Sequence, residues 1–273
     1  MTWAQTTDAA ELWRRAGACL GERPVENAPL LAEVAHLLAT DSAPEGLACG
    51  WWSDGSGAVG GAYVRAPRHN PLLTRMPRAA LDELVPLLVS DLVAVGVPGV
   101  IADDVVQAWT AAGTRLTPAR SFTVHELEGR PTAPSCAGGP SIAGPADEPM
   151  LHRWFDALMA GLPGDPSERA YVVDDPLAAG GLVLWEVDGD PVAMCSRSRV
   201  LGDTVRMGAC YAPGGEAAYV EAVFGAAAVE ARRHARHVTV LAATGEEQEE
   251  ARLAAAGFVP AAIRVLLTAP GES

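Results

Sequence analysis

Two lengths of this 273-residue chain repeat one plan, and the repetition restricts its fold more than any other feature. In the first length, apolar runs at 47–52 and 57–65 flank a turn carrying Trp52, Asp54 and Gly55. In the second, runs at 182–187 and 191–199 flank a turn carrying Trp185, Asp188 and Gly189. Asp-Gly between apolar runs signals a β-hairpin, because glycine takes the positive φ that the turn needs without a steric penalty. Further on, a helical pattern runs from Trp109 to Gly113 in one copy and from Leu253 to Gly257 in the other, each glycine placed as a C-cap. These observations predict an α/β fold: a mixed, mostly antiparallel central sheet flanked by helices, in two tandem domains.

Periodicity fills in the plan. In the first copy helices are expected at 8–21, 25–40, 77–95 and 103–112, with strands at 99–101 and 119–128. Leu30, Leu31, Val34, Leu37 and Leu38 carry the helical spacing of the second of these. In the second copy, helices are expected at 147–161, 215–233 and 246–256, with strands at 203–211, 238–241 and 258–268. The stretch 129–149 is rich in Pro, Gly, Ser and Ala and reads as a linker. The domain boundaries follow as 1–130, linker 131–146, and 147–273.

Charge narrows the chemistry. All 20 cationic side chains are arginine, against 34 acids, for a formal charge of −14. Without lysine there is no Schiff-base or P-loop lysine. Sequence-independent phosphate binding needs clustered cations, so neither a nucleic acid nor a membrane surface is expected as partner. Charges interrupt every apolar stretch before it is long enough to span a bilayer, and the first residues hold no apolar signal core. Five widely spaced cysteines with no Cys-x-x-Cys predict reduced thiols in a cytoplasmic protein. His234 and His237 read as imidazoles beside helix-terminal carbonyls, so no metal is expected.

The stretch 181–194 looks like the second and third strands of the GNAT family of acyl-CoA-dependent N-acyltransferases. The stretch 205–213 looks like its fourth strand running into the cofactor loop, and Leu253, Gly257, Phe258 and Pro260 look like its helix-to-strand ending. The second copy, about 147–270, carries this resemblance best, and the first looks like a more degenerate copy. The resemblance implies that the fourth and fifth strands splay and that acetyl-CoA or another acyl thioester lies in the gap. It also implies that the N-terminus of the long helix holds the pyrophosphate, since free N–H groups and a positive dipole end attract anions. On this basis Gly214, Gly215, Ala217, Ala218 and Tyr219 are the cofactor-binding candidates. Glu186, Cys210 and Tyr211 are the catalytic candidates: a strand carboxylate for the amine, and two residues beside the reaction centre. Trp52, His152 and Asp156 are the substrate-binding candidates, Trp52 as the wall of a pocket and the other two one turn apart on a helix that borders the acceptor. The sequence departs from the pattern in two places, the cofactor loop and the usual tyrosine. Glu216 sits where phosphate would bind, no arginine falls within 207–231, and Leu253 occupies the place of the usual tyrosine.

The implied function is transfer of an acyl group from a thioester, carried by CoA or an acyl carrier, to a small amine, in specialised metabolism. The alternatives are a GNAT-fold protein that has lost acetyl-CoA use and runs another reaction on a ligand in the cleft, or a non-catalytic binding or regulatory protein. The sequence does not choose between monomer and homodimer.

Overall fold

The computed structural model describes residues 2–40, 44–89, 92–131, 136–165 and 167–269. Its contacts divide the chain into two units. Unit 1 comprises residues 1–124, 241–246 and 260–273, and unit 2 comprises 125–240 and 247–259. The units are therefore not the consecutive spans read from composition. The last strand starts in unit 2 and completes unit 1.

Unit 1 holds strands β1 (Thr2–Thr6), β2 (Ala48–Ser53), β3 (Val59–Arg65), β4 (Leu72–Leu73) and β5 (Ala94–Pro98), with helices α1 (Ala9–Gly21), α2 (Ala28–Leu38), α3 (Arg78–Leu88) and α4 (Ala102–Ala111). Strands β6 (Thr117–Leu127), β11 (His237–Ala243) and β12 (Phe258–Thr268) are shared with unit 2. The sheet order is β1-β2-β3-β4-β5-β12, antiparallel except for the parallel β4–β5 contact. Its core gathers Tyr63, Leu73, Leu81, Leu84 and Trp109, the leucines of α3 recurring at helical spacing.

Unit 2 holds β7 (Gly139–Ile142), α5 (Glu148–Ala160), α6 (Asp175–Ala178), β8 (Leu182–Val187), β9 (Asp190–Arg197), β10 (Thr204–Tyr211), α7 (Ala217–His234) and α8 (Glu247–Ala255). Its order is β6-β11-β10-β9-β8-β7. One face of this sheet buries Leu151 and Phe155 of α5 with Val173, Leu184 and Met194. No helix among the described residues is long and apolar enough to cross a membrane.

The repeat has the backbone that the sequence implies. Asp188 and Gly189 both have positive φ (54° and 88°), as a two-residue type I′ hairpin requires, and the C-cap glycines Gly113 and Gly257 have φ of 89° and 87°. The first hairpin differs. Its positive φ falls at Gly57, not Gly55, because the Asp54 carboxylate accepts from the Ser56 and Ala58 amides and lengthens the turn.

Three other expectations are corrected. The helix read over 77–95 stops at Leu88, and the strand expected at 99–101 is a 3-10 turn following β5. The apolar run continues across both elements, so periodicity alone does not separate them. Residues 139–142 of the supposed linker form the edge strand β7, paired with β8 from Gly139–Glu186 to Ile142–Val183. Proline is tolerated there because an edge strand needs no donor on its outer side. Positions 132–135 of that linker lie outside the described residues. Strand β1 and the π-turn Ala170–Asp174 were not anticipated.

Candidate active site

Strand β10 carries the candidate site of unit 2. It pairs in parallel with β11 through only three residue pairs, from Thr204–His237 to Arg206–Thr239. β10 continues to Tyr211, and among the described residues no strand pairs with that edge of its backbone from Met207 onward. On its other side the register with β9 slips between Met207–Arg197 and Cys210–Cys195, leaving one extra residue on β10. This is a β-bulge, which bends the strand and re-aims its amides. Gly208 permits it, since a Cβ there would lie 3.2 Å from the Ser196 carbonyl oxygen.

β10 leads into α7. Gly215 takes φ +73°, and Glu216 occupies the N-cap without making a side-chain cap. The first amides of α7, at Ala217 and Ala218, therefore meet a helix end open to an anion. Gly214, Gly215, Ala217 and Ala218 are exposed and Tyr219 is half-buried, so the structure brings all five cofactor candidates to this helix end. It also turns the Glu216 carboxylate back over Gly214. A resident negative charge thus shares the place where a phosphate would dock.

Tyr211 closes the free stretch of β10. Its ring meets Trp154 of α5 edge-on at 6.3 Å, and both pack against the α5-side core. Trp154 was not singled out from the sequence, where it reads as one more apolar residue of an amphipathic helix. Of the side chains from Met207 to Tyr211, only Tyr211 carries an acidic proton, because Cys210 is bonded to Cys195.

That disulfide corrects two expectations. Cys210 is not a free nucleophile, and the cysteines are not all reduced; the antiparallel register sets Cys195 directly opposite Cys210. Cys19, Cys49 and Cys136 are free, and burial pushes the Cys49 thiol up to about 12. Replacing both Cys195 and Cys210 by serine is expected to leave turnover within about threefold of the parent, whereas losing a nucleophile removes several orders of magnitude. Steady-state rates of the double variant distinguish the two.

Four further candidates lie elsewhere. Glu186 accepts a hydrogen bond from Ser141 of β7, with β9 standing between its strand and β10, so it faces the sheet edge and not the free stretch. Trp52 is 4% exposed within unit 1's core, packed over Gly60, and serves packing rather than a pocket wall. His152 pairs with Asp174 at 2.9 Å and not with Asp156, which is exposed. Glu148, His152 and Asp174 bring one ligand atom each within 4.8 Å of one another, the one such group among the described residues. Arg169 holds the second Asp174 oxygen at 3.4 Å, which makes the group an ion-pair network. His234 and His237 bind separate carboxylates, Glu230 at 3.0 Å and Glu126 at 2.7 Å. The His234 bond, with Arg233 beside it, holds the Glu230 carboxyl below the usual range.

No protein-family model and no curated protein matches the sequence. Solved structures do match the fold. A GCN5-related N-acetyltransferase from Sphaerobacter thermophilus aligns over 99% of this chain and 97% of its own, with TM-score 0.58 and 15% identity. A GNAT-family acetyltransferase from Colwellia psychrerythraea aligns over 99% and 100%, with TM-score 0.58 and 10% identity. A tandem GNAT protein from the clavulanic acid biosynthesis pathway aligns over 99% of both chains, with TM-score 0.50 and 15% identity.

Proposed function

We propose that this chain, which carries the tandem GNAT fold, is an N-acyltransferase whose reaction runs in unit 2. The observation that carries the reading is the free, bulged stretch of β10 from Met207 to Tyr211, which heads directly into the open N-terminus of α7. An extended thioester arm can add to that edge as a further strand does, through backbone hydrogen bonds. An acyl thioester supplies an activated carbonyl. The amine nitrogen forms a bond to the carbonyl carbon, the carbon–sulfur bond breaks, and the amine loses one proton while the departing sulfur gains one. The protein contributes position more than covalent chemistry. The β10 edge aligns the arm, Trp154 and Tyr211 wall the acceptor side, and the Tyr211 hydroxyl gives its proton to the departing sulfur and is reprotonated, through solvent, by the proton the amine releases. Release of free thiol from acetyl-CoA, measured against a panel of small primary amines, tests the reading. Amine-dependent release supports it, and no release with any amine at millimolar acetyl-CoA sinks it.

Glu216 favours a second donor. A carboxylate over Gly214, and no arginine within 207–231, oppose the pyrophosphate of CoA. A carrier-borne thioester brings fewer phosphate charges to that point. Glu216→Arg replaces a repulsive charge by an attractive one and is expected to tighten acetyl-CoA binding about tenfold, from helix-terminus charge effects of roughly 0.3–2 kcal/mol each. Calorimetric titration of parent and variant measures it; equal affinities would remove Glu216 from the donor site. A place in specialised metabolism rests on the fold likeness to the clavulanic acid pathway protein alone.

A further inference from the structure

We infer that the chain holds one acyl-thioester site, in unit 2, because Arg264 fills the matching place in unit 1. The inference rests on the reading of unit 2 given above.

Unit 1 has its own parting of parallel strands. β4 and β5 meet only at Leu72–Gly96, where the Gly96 amide donates to Pro71 at 2.8 Å. In a parallel ladder the next donor toward β4 would come from Pro98, which has no N–H. The Leu73 carbonyl is thereby left to another donor at the point where the strands separate. Arg264 of β12 supplies it. Its Nη2 donates to Leu73 O at 3.0 Å and to Gly96 O at 3.1 Å, bridging β4 and β5, and its Nη1 donates to Glu26 O at 3.1 Å. The guanidinium is buried, and Arg264 lies opposite Pro98 in the β5–β12 register.

The fork geometry of arginine suits three converging carbonyls. The backbone acceptors that a thioester arm would use are therefore taken. The stretch after β4 is occupied as well. The Glu26 carboxylate, itself buried, takes Arg75 Nε at 2.8 Å and Nη2 at 2.6 Å. Between β4 and α3, residues 74–77 contain no glycine, so the backbone cannot approach a phosphate as it can at Gly214 and Gly215.

Calorimetry and hydrogen–deuterium exchange of the full chain with acetyl-CoA test the inference together. One equivalent is expected to bind, with exchange slowed in peptides covering 204–219 and unchanged in those covering 72–98. Ala218→Glu, at the exposed start of α7, is expected to weaken binding at least about tenfold by placing a second carboxylate at the anion end. Arg78→Glu, at the start of α3, is expected to leave binding unchanged. Two equivalents, or slowed exchange at 72–98, would overturn the inference and leave the reading of unit 2 standing. Zero equivalents for the parent would overturn both.

Discussion

Arg264→Ala is expected to destabilise unit 1 by about 3–5 kcal/mol, the usual cost of removing one partner from a buried charged network. Three carbonyls, at Glu26, Leu73 and Gly96, would lose a charged donor at once. None would regain water without opening the strand gap, and a buried acceptor left unpaired costs roughly 1–3 kcal/mol. Arg264→Lys would recover only part of the loss, because an ammonium lacks the planar fork that reaches three acceptors. Burial already pushes the guanidinium pKa down to about 10, so the group remains charged at neutral pH. Chemical denaturation of parent and variants measures the effect. A loss below about 1 kcal/mol, the scale of a surface pair, would mean that Arg264 ties nothing together.

Tyr211→Phe is expected to lower kcat about a hundredfold with KM nearly unchanged, the lower end of the range for general acid catalysis. The substitution keeps the ring against Trp154 and removes only the hydroxyl. Packing of the acceptor wall is preserved, so the loss reports proton transfer and not shape. A rise in KM with kcat intact would reduce Tyr211 to a wall of the pocket. The position matters because Leu253, where the resemblance would place a tyrosine, is fully buried on α8 and has no proton to give.

Local chemistry was the legible part of this sequence. The hairpin at Asp188–Gly189, the C-caps at Gly113 and Gly257, and the order of strands and helices in unit 2 all follow from residues within a few positions of one another. Gly214, Gly215, Ala217, Ala218 and Tyr219 are likewise neighbours in sequence, so their common place at the α7 start follows from the helix boundary alone. What depends on register was not. Cys195 and Cys210 look independent until β9 and β10 are laid side by side. Glu186 looks like a free strand carboxylate until 139–142 is known to be a strand that brings Ser141 to it. The role of Arg264 was the least accessible. Its three carbonyl partners lie 168, 191 and 238 residues away, and nothing near it in sequence marks it as different from the other arginines.

The sequence also set a tension that the structure makes concrete. A chain without lysine and with a charge of −14 offers little to a highly anionic donor. Its fold nevertheless provides an open helix end and an unpartnered strand edge, with the Glu216 carboxylate lying across the approach. Backbone geometry favours the donor's arm, and side-chain charge opposes its phosphates.

A crystal structure of the full chain with acetyl-CoA would locate the donor. The thioester arm is expected to run beside β10 from Met207 to Tyr211, its carbonyl oxygen about 3 Å from a backbone amide of the bulge, with the phosphates at the Ala217–Ala218 end of α7. A ligand seated elsewhere in unit 2, or against β4 and β5 of unit 1 in place of Arg264, would contradict that placement.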